Sequence, residues 1–331
     1  MFKPEWHRDG RNHWSRLDSS GSPLSSGKPP LNLWKDKGLR FPPGYKEVWV
    51  DLKHKKTPVR FLDQEDRVQY QYWPEALKRN RRAHWSRLHD IGPSFYGKLM
   101  PALKKTYPED NWTVNDVIRL MINCSLECGI RPGYPKYRDE HQSFGITTLE
   151  MRHVRAKPGW TNPSVVILRF PGKKQVLNEC ETCTKNSQWK NALLRYVKWR
   201  RAQGHIGSHD LFWINPETKN IVHPSLLNEW IQTHIHPEAK MKDLRTWLVH
   251  RHVLEEMSKM KEIPETEKER KTVWKNMITN VAEQTHHTPA ICQSSYLHPE
   301  LKKCWLEKRE PFHKAPMKLN EKKVLLGLWK K

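Results

Sequence analysis

Four separated segments of this 331-residue chain each place a cationic or hydrogen-bonding side chain beside a signal for a turn or a helix end. In CGIRPGYPKY, Arg131 stands just past a helix C-terminus, and in LRFPGKKQ, Lys173 lies at or near a hairpin tip. In MKDLRTW, Arg245 falls on the opening turns of a helix; in HHTPAICQSSYLHP, His287 precedes Tyr296 by nine residues. Side chains of these types suit attack on a phosphodiester. In-line attack gathers negative charge on the non-bridging oxygens, and guanidiniums and an imidazole can hydrogen-bond those oxygens in a preorganised array. Arg is the apt cation there, because its planar fork stays charged and can bind in bidentate fashion. A phenol, with an ordinary pKa of about 10, becomes a nucleophile more readily where positive charge stabilises the phenolate. The departing oxygen needs an acid, and Lys173 and its neighbour Lys174 are equally suited on chemistry alone. Taken singly, any one of the 59 Lys and Arg residues belongs on a solvated face, so the weight rests on the combination.

These residues need elements to position them. From Leu33 to about Lys78 the pattern is of short strands, EVWVDL, TPVRFLD and RVQYQYW. In the last, Val68, Tyr70 and Tyr72 alternate with Arg67, Gln69 and Gln71, which predicts a half-buried strand with both tyrosines on one face. Before them, DSSGSPLSSGKPP at 18–30 reads as a flexible tether behind a leader containing Trp and Arg. The pentapeptide HWSRL occurs at His13–Leu17 and again at His84–Leu88, and one such match establishes no repeat. The basic stretch LKRNRRAHWSRL is a linker or the first helix of the next unit.

Beyond it the helical period takes over. Thr113 and Asp116 make a capping box, Val114, Val117, Ile118, Met121 and Ile122 form one apolar stripe, and Gly129 ends the helix. A β-rich interlude covers roughly 144–180, and helices follow at about 186–203, 224–235, 240–260 and 264–283. The terminal EKKVLLGLWKK reads as a short amphipathic helix that packs on the domain. The expected fold class is α+β, with a leader and tether at 1–32, a small β-rich domain at 33–78, and a mainly helical domain with an inserted β-hairpin at 79–331.

Lys and Arg number 59 against 36 Asp and Glu, a net charge of 59 − 36 = +23, which suggests a polyanionic partner, most commonly nucleic acid. No apolar run approaches the ~20 residues of a spanning helix. MFKPEWHRDG lacks the apolar core of a secretory signal. Six cysteines in so long a chain suggest a reducing interior rather than a disulfide scaffold. Cys180 and Cys183 form a CxxC, and Cys124 and Cys128 lie one helical turn apart; neither spacing fits a four-ligand zinc pattern, so both read as structural thiols. No GKS or GKT loop and no acidic cluster is present, so neither nucleotide nor metal is expected as a cofactor.

The order Arg131, Lys173, Arg245, His287, Tyr296 resembles the active site of type IB DNA topoisomerases, particularly the small poxvirus, giant-virus and bacterial enzymes. FPPGYKEVWVD, DRVQYQYWPE, FGITTLEMRHV, KDLRTW and HTPAICQSSYLHP are similar to family motifs, and the resemblance covers roughly 33–305. It implies that Tyr296 attacks one DNA strand to form a 3′-phosphotyrosyl intermediate. Arg131, Arg245 and His287 would bind the non-bridging oxygens, and Lys173 would be the general acid, with Lys174 one residue away. Religation would then need neither ATP nor metal. The resemblance also places DNA contacts at Arg67, Tyr70, Tyr72, Lys136, Tyr137 and Lys242. Tyr134 stands where the poxvirus pattern has Lys, so no base readout is carried over there. The implied partner is double-stranded DNA, bound by a monomer, inside a cell and with its DNA: in a virion or viral factory if viral, a nucleoid if bacterial. A tyrosine recombinase shares the Arg, Lys, Arg and Tyr chemistry but usually has His where Lys242 stands. A non-catalytic basic DNA-binding protein would keep every activity after Tyr296→Phe.

Overall fold

Short alternating segments near the N-terminus pair into one antiparallel sheet. The computed structural model describes residues 2–26, 28–42, 44–157, 164–181, 187–204, 206–308 and 320–330. The chain divides into two units, Met1–Trp85 and Ser86–Lys331. The first contains β1 (Trp6–Arg8), β2 (Trp14–Leu17), β3 (Pro23–Ser26), α1 (Leu31–Asp36), β4 (Val48–Val50), β5 (Val59–Leu62) and β6 (Val68–Gln71). Their order across the sheet is β3-β2-β1-β4-β5-β6. Trp34, Leu39, Val48, Val50, Val59 and Phe61 form the core behind it.

Two expectations for this unit are corrected. The leader and tether are not merely flexible, because three strands form within them. Trp6 and Trp14 both pack edge-on against buried Trp34, with centroids 5.9 and 5.4 Å away, and such aromatic pairs add to the area they bury. Buried Arg8 donates to the carbonyls of Pro42 at 3.2 Å and Tyr45 at 2.6 Å. The Ser- and Gly-rich stretch is a hairpin turn, in which Asp18 Oδ1 accepts from the N–H groups of Ser20 and Ser22. Secondly, β6 does not bury its apolar side: Val68, Tyr70 and Tyr72 are 52%, 49% and 42% exposed. β6 is the sheet edge, and its opposite side is occupied by Gln71, whose amide clasps Arg40 by accepting from its N–H at 2.9 Å and donating to its carbonyl at 2.8 Å.

α2 (Pro74–Ser94) takes up the basic stretch as a helix. A π-helical turn (Phe95–Leu99) and α3 (Met100–Leu103) lead to α4 (Val114–Glu127), whose capping box forms as expected, Asp116 N–H donating to Thr113 Oγ1 at 3.2 Å. After α5 (Pro135–His141) come β7 (Val154–Lys157), β8 (Val165–Pro171) and β9 (Leu177–Glu181), an antiparallel sheet in that order. Then follow α6 (Ser187–Ala202), α7 (Pro224–His234), α8 (Met241–Ser258), α9 (Glu267–Gln284), α10 (Pro289–Ile291), a π-helical turn (Cys292–Tyr296), α11 (Pro299–Leu306) and α12 (Glu321–Trp329). Each long helix expected between 186 and 283 forms within a few residues of its expected span. The terminal segment packs as α12, burying Leu325, Leu328 and Trp329, with Trp329 edge-on to His250. Among the described residues no helix is long and apolar enough to cross a membrane.

The cysteine reading is corrected too. Cys128, the C-cap of α4, is bonded to Cys180 on β9, Cα to Cα 5.5 Å. Pairing followed space rather than sequence spacing, because β9 runs past the end of α4. Cys124, Cys292 and Cys304 are buried, and Cys183 lies outside the described residues.

Candidate active site

The end of α4, the start of α8 and the end of α9 meet at Arg245. This residue is 7% exposed. Its Nη1 donates to the Gly129 carbonyl at 2.5 Å, and its Nη2 donates to the Thr285 carbonyl. Nε and Nη2 lie 3.0 and 2.9 Å from His287 Nε2. Gly129 is required for two reasons. Its φ is +60°, a left-handed value, and a Cβ there would lie 2.7 Å from the Gln284 carbonyl. Burial and then the charge of Arg131 hold the Arg245 pKa down to about 10, so the group remains a cation at neutral pH.

Arg131 follows on a segment clamped from beneath. Its carbonyl accepts from Ile146 N–H at 2.8 Å, and Thr147 Oγ1 donates to the Gly133 carbonyl at 2.6 Å. Its own Nη2 donates to the His286 carbonyl at 3.4 Å. His286 has φ +52°, an uncommon value for a residue with a side chain. That turn aims its carbonyl at Arg131 while its Nε2 bonds the Cys128 carbonyl at 3.1 Å. The next residue, His287, stacks on Tyr296 with centroids 4.3 Å apart and planes at 23°. Tyr296 is half-buried at the end of its π-helical turn, with the Arg245 guanidinium carbon 5.8 Å from its ring centre. Burial, then the charges of Arg245 and Arg131, push the His287 pKa down to about 2. Arg131, Arg245, His287 and Tyr296 are thus brought together.

Lys173 is exposed at the turn between β8 and β9, and among the described residues no hydrogen bond joins it to those four. The turn itself is anchored nearby: Phe144 N–H donates to the Pro171 carbonyl at 2.9 Å, and Gln175 Nε2 donates to the His141 carbonyl at 2.6 Å. The Lys174 side chain lies outside the described part. Among the described residues no group of three or more His, Cys, Asp or Glu is placed to hold a metal ion.

The sequence profile of the family described as eukaryotic DNA topoisomerase I, catalytic core, matches residues 104–322. DNA topoisomerase 1B of Acanthamoeba polyphaga mimivirus is 28% identical over 277 residues, 78% of this chain and 75% of that protein. The chain belongs to the type IB DNA topoisomerases. As a topoisomerase it is an isomerase that acts on DNA, and its similarity is to a viral member of the family.

Of the residues expected to grip DNA in this topoisomerase, Tyr70, Tyr72 and Tyr137 are exposed aromatics. Lys136 and Lys242 are exposed, and Lys136 sits 3.9 Å from Glu140. Arg67 is engaged with its own turn, Nη2 lying 2.8 Å from Asp63 and also against Glu65. Tyr134 is 45% exposed beside Tyr137.

Several supporting residues were not read from the sequence. Asp243, fully buried, is held by Arg87, with Nη2 donating to Oδ1 at 2.8 Å. Asp243 also accepts from Lys240 N–H at 3.0 Å, fixing the start of the helix that carries Arg245. A Cβ at Gly145 would lie 2.5 Å from the Arg131 carbonyl, so the Arg131 segment can approach only a glycine. An acid on the opening turn of a helix was the one signal available for Asp243; for Arg87 and Gly145 the sequence offers none.

Proposed function

We propose that this topoisomerase relaxes supercoiled DNA by transient cleavage of one strand, with Tyr296 as the nucleophile. The phenolic oxygen attacks the phosphorus, a 3′-phosphotyrosyl bond forms, and the 5′ oxygen departs. Arg131, Arg245 and His287 bind the non-bridging oxygens and carry the charge that gathers there in the transition state. Arg245 suits this because its position is set by two carbonyls before substrate arrives, so little reorganisation is needed. Lys173, on the hairpin inserted in the catalytic domain, protonates the departing 5′ oxygen. The phosphotyrosyl bond conserves the energy of the phosphodiester, so the freed 5′ hydroxyl can reattack without ATP or metal.

The observation that carries this reading is the stacking of Tyr296 on an imidazole that hydrogen-bonds a buried guanidinium. Exposed Tyr70, Tyr72, Tyr137, Lys136 and Lys242 supply contacts to the duplex from the two units, with Arg67 joining by exchanging its carboxylate partners for phosphate. The protein acts as a monomer, inside the compartment that holds its DNA, a virion or viral factory.

The test is single-turnover cleavage of a duplex from which a short 5′-hydroxyl strand dissociates, trapping the adduct. The adduct should form on Tyr296 and be absent from Tyr296→Phe. Lys173→Ala should slow cleavage strongly with an oxygen leaving group and recover with a bridging 5′ sulfur, which leaves without an acid. If Lys173→Ala is slow with both, or only Lys174→Ala shows the recovery, the general-acid assignment fails.

A further inference from the structure

We propose that Thr285 is a positioning residue for His287, fixing which imidazole nitrogen faces the scissile phosphate and supporting the ring as a cation there. The inference rests on the role given above to His287.

Thr285 is the C-cap of α9 and is fully buried. Its hydroxyl donates to the Val281 carbonyl at 2.6 Å, one turn back in the helix. Its oxygen also lies 3.0 Å from His287 Nδ1. A hydroxyl has one hydrogen, and this one is already placed, so toward the imidazole Thr285 can only accept. Nδ1 therefore carries the ring proton. The other side of the ring agrees. Nε2 faces Arg245 Nε and Nη2, and a guanidinium is a donor only, so Nε2 presents its lone pair. The two contacts select the same tautomer independently.

The groups facing the ring are Arg245 from α8, Arg131 from the segment after α4, Tyr296 from the π-helical turn and His286 from its own segment. Burial and the two arginine charges keep the imidazole neutral against this background. A phosphodiester engaging both guanidiniums draws their N–H groups to its oxygens and adds a negative charge. Nε2 then takes a proton from solvent and donates it in a hydrogen bond to a non-bridging oxygen. In that cation both ring nitrogens are donors, and Thr285 Oγ1 is the acceptor already aligned with the inner one. The negative end of the α9 dipole lies at the same place and favours the same charge. Thr285 thus extends the cation to higher pH in the DNA complex and stops the ring from flipping.

Two measurements on the full chain test this. In the free protein, the ¹⁵N spectrum of histidine side chains, assigned with His287→Asn, should show Nδ1 protonated and Nε2 bare for His287. In Thr285→Val the proton should stay on Nδ1, where Arg245 still holds it, but its resonance should shift for want of an acceptor, and in Thr285→Ser the native position should return. In single-turnover cleavage of duplex DNA across neutral and alkaline pH, Thr285→Val should be about tenfold or more slower. Its alkaline limb should move down by about one to two pH units, the size expected on losing a hydrogen bond to a charged group. Thr285→Ser should restore both. A native spectrum with the proton on Nε2, or a slowed Thr285→Val whose alkaline limb does not move, would overturn the proposal. If His287→Asn is slow while Thr285→Val matches the native protein, Thr285 alone is misassigned. If His287→Asn itself cleaves at the native rate, the role of His287 falls.

Discussion

Breaking the bond between Cys128 and Cys180, by reduction or by Cys180→Ser, releases a loop that spans 52 residues and contains both Arg131 and Lys173. In the chain-entropy account a crosslink closing a loop of that length restricts the unfolded chain by about 4 kcal/mol. The unit that contains it runs from Ser86 to Lys331. For a unit of that size each kcal/mol moves the thermal midpoint by about 2–4 °C, so the expected fall is about 8–16 °C. Scanning calorimetry with and without dithiothreitol measures it directly, and Cys128→Ser, Cys180→Ser and the reduced native protein should melt together. Well below that midpoint, cleavage should persist after reduction. Arg245 is held by the Gly129 and Thr285 carbonyls, and Arg131 by that of His286, none of which involves sulfur. A midpoint indifferent to reductant, or alkylation of Cys128 without prior reduction, would refute the reasoning.

Gly145→Ala would set a methyl 2.5 Å from the Arg131 carbonyl and the Gly133 nitrogen; backbone cannot yield as a side-chain tip does, and a shift of about 1 Å in Arg131 should slow single-turnover cleavage about 100-fold. Unaltered cleavage would mean that the Arg131 segment is not positioned by this contact. Arg87→Ala takes the guanidinium away from the buried Asp243 carboxylate, which keeps the Lys240 N–H, and should cost about 3 kcal/mol in urea unfolding, part of it recovered in the double variant with Asp243→Asn; additive losses would contradict this. Acid should also weaken the fold. His287 is pushed down to about 2 and His153 to about 4, burial being the main cause in each, from an ordinary 6.5. The unfolded chain therefore binds more protons below pH 6.5, and stability should fall as pH drops from there toward 4 and below. A urea midpoint that rises over that interval would show the histidines are not held neutral.

The residues proposed for chemistry were legible because each sits beside punctuation that a sequence displays: a glycine after α4, a hairpin turn, the opening turns of a helix, and the HTP opening of a short helix. What holds them was not legible. Arg87 and Asp243 are 156 residues apart, and nothing local to either announces the other. The role of Thr285 depends on where its one hydrogen points, which only the fold decides. HWSRL shows the limit plainly. At Trp14–Leu17 it is a strand, entered through a turn at Asn12 with φ +66° and paired to β1. At His84–Leu88 the same residues continue a helix begun at Pro74. Flanking residues and tertiary packing chose the conformation, not the pentapeptide. Alternation in β6 predicted a strand correctly but not which side faces the core, because an edge strand need not bury its apolar side. Cysteine spacing misled similarly: pairs close in sequence drew attention from Cys128 and Cys180, which meet in space.

The most direct test of the account is relaxation of negatively supercoiled plasmid in EDTA without ATP, by the native protein and by Tyr296→Phe side by side. The native protein should relax the plasmid and, when quenched with detergent, remain covalently attached to the 3′ end of a nick; Tyr296→Phe should do neither. Equal relaxation by both would remove Tyr296 from the reaction, and no relaxation by either would contradict relaxation by this site altogether.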